Sequence, residues 1–167
     1  MQSEDCILVL TTGGTIDKQY FDALSKYQIT DSTVTKLLPV ARVMHPFVVE
    51  EAQRKDTIDL TAEDKARIAE RVACTTCSRI VITHGTDTMT VTGRALSGLR
   101  NKTIVLTGAL APARFAESDA AFNLGMAFAT AQLAPLGIFI TINGSVFPAT
   151  QVEKDRERGC FVLLPET

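Results

Sequence analysis

The chain has 167 residues, of which 46% are apolar and 22% are charged, and its net charge at pH 7 is −2. This length and composition are typical of one folded domain with a single core, and they exclude intrinsic disorder and a fibrous repeat. The slightly acidic balance offers no basic surface to nucleic acid or to an anionic membrane, so the expected partner is a small molecule.

Short apolar runs alternate with longer amphipathic segments, which is the pattern of buried parallel strands joined by helices. In chain order, the predicted strands are Cys6–Leu10, Phe47–Val49, Arg79–Thr83, Thr103–Thr107 and Leu136–Ile142. The predicted helices lie near Ser32–Ala41, Ala62–Ala73, Thr88–Leu99 and Asp119–Leu133. We therefore predict an α/β fold in a single domain spanning residues 1–167. It is a three-layer, doubly wound, flavodoxin- or Rossmann-like arrangement around a mostly parallel sheet.

Local signals mark the ends of the second and fourth predicted helices. The segment Thr61–Asp64 resembles a capping box with Asp in the usual Glu position, Ser118 is a predicted N-cap, and Pro135 ends the fourth helix. The stretch Ala120–Val152 carries no charged residue, but polar residues and Pro135 interrupt it. It therefore predicts buried interior and not a transmembrane helix.

Targeting, metal and cofactor signals are weak along the whole sequence. The first residues are acidic and lack the basic start and long apolar core of a signal peptide, so we expect a cytoplasmic protein. The four cysteines are too scattered for a disulfide framework. Cys74 and Cys77 form a lone C-x-x-C without a second pair of ligands, so no metal site is predicted. Neither glycine fingerprint for nucleotides is present, and we expect no cofactor.

The loops after the first and third predicted strands are the expected ligand site. In a sheet of order 2-1-3-4-5 these strands are neighbours, and a crevice opens at their carboxyl ends. The first loop contains Gly14 and presents the Thr15 hydroxyl, although Gly-Gly pairs are also common in plain turns. The second loop places Thr86 beside Asp87 at a helix start, where amides stabilise anions and where either side chain could equally be a cap.

A hydroxyl nucleophile needs an activating group, and the residues leave several candidates open. Both histidines are predicted to be structural. Lys154 is a candidate base, but it lies in the mixed-charge run Glu153–Arg158, which by spacing predicts a solvated face. Tyr20 and Tyr27 lie in the polar segment Asp17–Gln28, whose length suits a lid over the crevice. Either tyrosine could equally be a surface packing residue.

Four segments resemble signatures of the bacterial-type L-asparaginase/glutaminase family. Thr12–Ile16 reads T-G-G-T-I after an apolar strand, and Val81–Met89 matches the apolar-I-T-H-G-T-D-T-M signature in full. Further on, Thr107–Leu110 is similar to the family's G-A-M/L segment, and Asp119–Leu124 is similar to its D-G-x-x-N-L helix start. The matching segments occur in the family's order and extend over about the whole chain.

The resemblance implies one catalytic set and one substrate-binding set. The catalytic residues it implies are Thr15, Tyr27, Thr86, Asp87 and Lys154. The substrate-binding residues it implies are Gly14, Thr57, Gly85, Asp87 and Ala109. In the family's scheme the first threonine attacks the amide and is helped by the lid tyrosine, while the second threonine, the aspartate and the lysine form a second group. The order in which the two threonines act stays open.

The implied activity is hydrolysis of L-asparagine to L-aspartate and ammonia, with L-glutamine as a weak second substrate and without a metal or cofactor. Since the chain ends at Thr167, the resemblance further implies a short-chain member without the C-terminal domain, forming a cytoplasmic homo-oligomer, either a dimer or a tetramer. Ile58 and Ala111 depart from the family pattern and affect the expected affinity. A glutamine-preferring or tRNA-linked amidase and a non-catalytic amino-acid-binding module stay open as alternatives.

Overall fold

The computed structural model describes residues 5–165, so the first four and last two residues of the predicted 1–167 domain lie outside it. The strands are β1 Ile7–Gly13, β2 Lys18–Phe21, β3 Lys26–Ile29, β4 Phe47–Lys55, β5 Arg79–Thr83, β6 Thr103–Thr107, β7 Gly137–Ile142, β8 Ser145–Pro148, β9 Val152–Asp155 and β10 Cys160–Leu163. The helices are α1 Val34–Val40, α2 Ala62–Cys74, α3 Met89–Ala95 and α4 Ala120–Leu133. Short 3-10 turns lie at Thr15–Asp17, Asp22–Leu24 and Thr57–Asp59.

The main sheet has the order β4-β1-β5-β6-β7-β8. Its first five strands are parallel, and this confirms the predicted α/β fold with strand order 2-1-3-4-5. The edge strand β8 was not predicted. It runs antiparallel to β7 after a turn at Asn143 and Gly144, both of which have positive φ. Asn-Gly is the typical sequence of such a tight hairpin turn, so the local sequence does indicate a strand after Gly144.

Helices cover the sheet on both faces, as expected for a doubly wound fold. Side chains alternate along β1, so that Leu8 and Leu10 pack with α2 and α3 while Ile7 and Val9 pack with α1 and α4. All four side chains are at most 1% exposed. Burial of each such side chain contributes about 1.5–3 kcal/mol to folding. Because both faces are buried, residues 7–10 of the strand are all apolar, which is why a continuous apolar run predicted it.

The predicted helix-end signals are present at α2 and α4. The Thr61 hydroxyl accepts the Asp64 amide at 3.2 Å, and the Asp64 carboxylate accepts the Thr61 amide at 3.0 Å, which confirms the capping box. The Ser118 hydroxyl accepts the Ala120 amide at 3.1 Å, but the N-cap of α4 is Asp119, one residue later than predicted. The helix ends two residues before Pro135, as predicted. Among the described residues, no helix has the length and apolar character needed to cross a bilayer.

Two small hairpins stand apart from the main sheet, and neither was predicted. Strands β2 and β3 pair within the segment that was interpreted as a lid, with Tyr20 opposite Tyr27. Strand β9 contains the first half of the run Glu153–Arg158, interpreted as a solvated face, and pairs with β10 beyond that run, with Lys154 opposite Phe161. Each strand has four residues, and all but the apolar β10 carry charges, so no strand is long enough to show a period-two pattern.

Candidate active site

The loops that follow β1 and β5 touch each other through glycine. Gly14 has φ of 85°, and its amide donates to the Lys55 carbonyl at the end of β4 at 3.2 Å. A Cβ atom on Gly14 would lie 2.5 Å from the Gly85 amide nitrogen, so only glycine permits this approach. The next residues along the two loops are Thr15 and Thr86. Both threonines therefore lie at one edge of the sheet, as the strand order predicted.

The loop after β4 reaches the same edge through Thr57. Thr57 is 3% exposed, and its side chain fills the place that a Cβ on Gly85 would occupy. Its carbonyl accepts the Thr88 hydroxyl at 3.1 Å, which ties the 3-10 turn at Thr57–Asp59 to the start of α3. Ile58, the departure noted in the sequence, is 68% exposed beside it. Gly85 thus contacts both Gly14 and Thr57, so three of the predicted substrate residues lie next to one another.

Thr15 lies on a 3-10 turn that buried side chains hold in place. Ile16 is fully buried in a small cluster with Ala109. Asp17 is 1% exposed, and its carboxylate accepts the amide of Thr33 at 2.8 Å and the hydroxyl of Thr33 at 3.0 Å. Burial raises the pKa of the Asp17 carboxyl, and the hydrogen bonds from Thr33 oppose that rise. The turn that carries the half-buried Thr15 is therefore held on its buried side by the packing of Ile16 and the hydrogen bonds of Asp17.

Thr86, Asp87 and Lys154 form one hydrogen-bonded group. Lys154 Nζ donates to Thr86 Oγ1 at 2.7 Å and to Asp87 Oδ1 at 2.7 Å. Thr86 is 6% exposed, whereas the Asp87 side chain is 47% exposed and opens towards solvent. The hydrogen bond from Lys154 lowers the pKa of the Asp87 carboxyl, outweighing its partial burial. The group therefore holds an ionised carboxylate beside a buried hydroxyl.

The hairpin of β9 and β10 is what brings Lys154 to this group. Phe161, opposite Lys154, is 9% exposed, and Val152 is fully buried in the main core. Arg94 of α3 donates to the Val152 carbonyl at 3.2 Å. The interpretation of Glu153–Arg158 as only a solvated face is therefore wrong at Lys154, whose side chain is 16% exposed. The buried residues Val152 and Phe161, on either side of the charged run, therefore fix the hairpin so that the Lys154 side chain points into the protein.

Ala109 follows β6 and is 1% exposed. The segment after it is held by Asp119, whose carboxylate accepts the Leu110 amide at 3.0 Å and the Ala111 amide at 3.1 Å. Partial burial works to raise the pKa of the Asp119 carboxyl, but these hydrogen bonds prevail and lower it. Asp119 also accepts the Asn143 side-chain amide at 2.8 Å. The helix-start motif identified Asp119 in the sequence, but the hydrogen bonds by which Asp119 holds the segment after Ala109 were not predicted.

His84 is structural, as predicted. Its Nδ1 donates to the Gly85 carbonyl at 2.8 Å, because a carbonyl can only accept, and its Nε2 accepts the Thr92 hydroxyl at 2.7 Å. Complete burial lowers the pKa of His84 to about 4, so the imidazole is neutral at neutral pH. Both ring nitrogens are therefore used in supporting the Gly85 loop.

Tyr27 lies on the β2–β3 hairpin and is 49% exposed. Its ring contacts Tyr20 of the paired strand, with centroids 5.2 Å apart, and Phe115 of the loop after β6, with centroids 6.1 Å apart. Of the residues predicted for the site, the structure joins Thr86, Asp87 and Lys154 by hydrogen bonds and packs Gly14, Gly85 and Thr57 together. Tyr27 belongs to the neighbouring lid. Within residues 5–165, no cluster of three or more His, Cys, Asp or Glu could hold a metal ion.

Comparison with known proteins gives consistent matches over most of the chain. The family model described as asparaginase, N-terminal, matches residues 6–160. The L-asparaginase of Thermococcus kodakarensis is 32% identical over 159 residues, which cover 92% of this chain and 48% of that protein. The chain spans about half the length of the curated relatives it matches.

Solved structures agree with the sequence matches. The structure of the thermostable L-asparaginase from Thermococcus kodakarensis superposes with a TM-score of 0.81 at 30% identity, covering 95% of this chain and 51% of that one. The structure of a probable cytoplasmic L-asparaginase from Campylobacter jejuni gives a TM-score of 0.79 at 28% identity, covering 89% of this chain and 49% of that one.

Proposed function

The chain belongs to the asparaginase family, and from this premise we propose that its crevice hydrolyses L-asparagine to L-aspartate and ammonia. The observation that carries the proposal is the placement of Lys154 Nζ at 2.7 Å from both Thr86 Oγ1 and Asp87 Oδ1, beside the loop contact that brings Thr15 to the same edge. A threonine hydroxyl with an acid and an amine close by supplies both a nucleophile and groups that can activate it for amide hydrolysis.

In the proposed reaction the Thr15 hydroxyl provides the nucleophile. Its oxygen adds to the side-chain amide carbon, the carbon–nitrogen bond breaks, and ammonia leaves with the hydroxyl proton. Water then cleaves the aspartyl ester, which releases aspartate and restores the hydroxyl. Tyr27 on the hairpin activates or positions the Thr15 hydroxyl. The rigid turn around Ile16 and Asp17 supports this role, because a nucleophile held in place loses little entropy in the transition state.

The second group, Thr86, Asp87 and Lys154, is proposed to polarise the reacting centre. An ammonium that donates to the Thr86 hydroxyl oxygen stabilises negative charge on that oxygen when its proton moves. Asp87 keeps the lysine in place and offers its second carboxylate oxygen to the α-ammonium of the substrate. Burial of Thr86 strengthens these interactions because the local dielectric is lower than that of water.

The remaining crevice residues are proposed to hold the substrate. Thr57 and the backbone of Gly85 bind its α-carboxylate, Gly14 gives it room, and the Ala109 carbonyl accepts a hydrogen bond from its side-chain amide. The contacts of Gly85 with Gly14 and with Thr57 support this assignment, since they bring the three loops together at one edge of the crevice. No step of this scheme uses a metal or a cofactor.

Ammonia release by the purified protein tests the proposal. We expect Thr15→Ala and Thr86→Val each to lower kcat about 10³-fold, the scale of losing a nucleophile or its activating group. Thr150→Ala is the matched control and keeps the wild-type rate, because this exposed threonine lies beside Gly137 and Ile138 at the amino end of β7, and the crevice loops follow the carboxyl ends of the strands. Unchanged turnover in both crevice variants contradicts the assignment. Heat stabilisation by asparagine without ammonia release would instead identify a binding module.

Turnover of L-asparagine, L-glutamine and a tRNA-bound substrate in parallel discriminates among the possible amides. We propose asparagine as the preferred substrate and glutamine as a weak one. A higher kcat/KM for glutamine or for the tRNA-bound amide contradicts that preference.

We further propose that residues 1–167 form one asparaginase N-terminal-type domain that works in the cytoplasm as a homo-oligomer, either a dimer or a tetramer. The exposure of Asp87 supports assembly, because an open crevice excludes water poorly and a neighbouring subunit could cover it. Sedimentation measured together with activity tests this. A fully active monomer contradicts it.

A further inference from the structure

The loop after β6, residues 108–119, is hydrogen-bonded to the base of the β2–β3 hairpin, where the chain enters and leaves it. Arg114 donates from Nη1 to the Asp17 carbonyl at 3.4 Å and from Nη2 to the Asp31 carbonyl at 3.0 Å. These two carbonyls lie on either side of the hairpin in the chain. The Thr30 amide also donates to the Asp17 carbonyl at 3.1 Å and closes the base. One guanidinium therefore bridges the entry and the exit of the hairpin.

The same loop contacts the hairpin through an aromatic ring. Phe115 meets Tyr27 with ring centroids 6.1 Å apart and planes inclined by 51°, and Tyr27 meets Tyr20 at 5.2 Å and 56°. Tilted rings at such distances attract each other. All three rings are between 43% and 49% exposed, so the protein core does not hold them. The position of Tyr27 therefore depends on its two neighbouring rings.

The loop itself is firmly attached to the sheet. Asp119 accepts the Leu110 and Ala111 amides, and the Ala113 amide donates to the Ile16 carbonyl at 3.0 Å. Ala109 lies at the start of this segment. Consequently, one loop contacts the turn that carries Thr15, the hairpin that carries Tyr27, and the predicted site of the substrate amide.

A two-stranded hairpin is marginally stable by itself in water, so its position follows from what it packs against. The β2–β3 hairpin pairs with no strand of the main sheet. We propose that Arg114 and Phe115 are positioning residues that hold this hairpin in place, so that Tyr27 is presented to the crevice. The role in catalysis rests on the proposed asparagine hydrolysis, whereas the docking of the hairpin does not.

The amino-acid composition supplies a probe for this proposal. The chain has two tyrosines, Tyr20 and Tyr27, and no tryptophan. Intrinsic tyrosine fluorescence therefore reports on the hairpin alone and needs no substrate. We expect Phe115→Ala and Arg114→Ala each to raise acrylamide quenching of this fluorescence about twofold, because local opening exposes the rings. Phe122→Ala, which removes a 61% exposed ring from α4, is the matched control and leaves the quenching unchanged.

Kinetics with asparagine then test the positioning role. In Phe115→Ala we expect kcat to fall about tenfold while KM stays within about threefold, because Tyr27 serves the reacting hydroxyl and does not bind the substrate. Phe115→Tyr keeps the ring and should retain kcat within about threefold. It is assayed for activity alone, since it adds a third tyrosine to the fluorescence.

Each outcome decides one part of the proposal. Wild-type quenching in both Arg114→Ala and Phe115→Ala overturns the docking, whatever the activity. Raised quenching with unchanged kcat overturns the positioning role and leaves the docking. A wild-type protein that releases no ammonia overturns the proposed function and the positioning role with it, while the fluorescence still decides the docking.

Discussion

Gly85→Ala adds one methyl group where the loop after β5 meets Thr57. Gly85 does not have a positive φ, so alanine can adopt its backbone conformation without strain. The new Cβ would lie 2.7 Å from Thr57 Cγ2 and closer still to Thr57 Oγ1. An ordinary contact begins near 3.4 Å, so clearing Thr57 Cγ2 alone requires the two loops to separate by about 0.7 Å, and clearing Oγ1 requires more. The substitution therefore tests the close approach of these loops and nothing else.

The size of the effect follows from that displacement. A misplacement approaching 1 Å in a binding or catalytic group costs about 100-fold in rate, or about 2.7 kcal/mol of transition-state stabilisation. We therefore expect kcat/KM for asparagine to fall about 100-fold. Overpacking costs about 1–3 kcal/mol of folding free energy, which lowers Tm by about 2–4 °C for each kcal/mol in a domain of this size. The variant should stay folded while it loses most of its activity.

The assay is ammonia release over a range of asparagine concentrations, with Tm measured on the same samples. Gly98→Ala is the control, because a Cβ at that position meets no atom within 4 Å. We expect Gly98→Ala to retain the wild-type kcat/KM. If Gly85→Ala also stays within about threefold of wild type, the contact between Gly85 and Thr57 does not set the geometry of the site.

The remaining predictions concern stability. Within the described residues the buried Thr83 Oγ1 has no hydrogen-bond partner, whereas Thr107 Oγ1 donates to the Thr141 carbonyl at 2.8 Å. Urea unfolding should therefore show Thr83→Val more stable and Thr107→Val less stable, each by about 1 kcal/mol, and the reverse order would refute this reasoning. The hydrogen bond from Lys55 lowers the pKa of the Asp64 carboxyl from 3.8 to about 2. The ionised Asp64 carboxylate therefore stabilises the fold above pH 4, and this stabilisation is lost as the pH falls towards about 2. The difference in free energy of unfolding between wild type and Asp64→Asn should consequently shrink between pH 7 and pH 3. A difference that stays constant over this range would contradict the prediction.

Much of the fold could be predicted because its signals are local. Strands buried on both faces have apolar centres, such as residues 80–82 of β5, and helices such as Ala62–Cys74 carry their own caps. The hairpins of β2–β3 and β9–β10 were not predicted because strands of four residues are too short to show a period of two. The edge strand β8 was not predicted, although the Asn-Gly turn before it is a local signal for a hairpin.

The sequence by itself determined the α/β class, the strand order and the two threonine loops, since each depends on patterns within about ten residues and on general rules of connection. The family resemblance grouped Lys154 with Thr86, 68 positions away, but their hydrogen bond and the reach of Arg114 to the Asp17 carbonyl, 97 positions away, became visible only in the folded chain. Such contacts depend on how separate elements pack in space. A charged side chain has the same local sequence whether it faces water or a partner, so only the folded arrangement distinguishes the two.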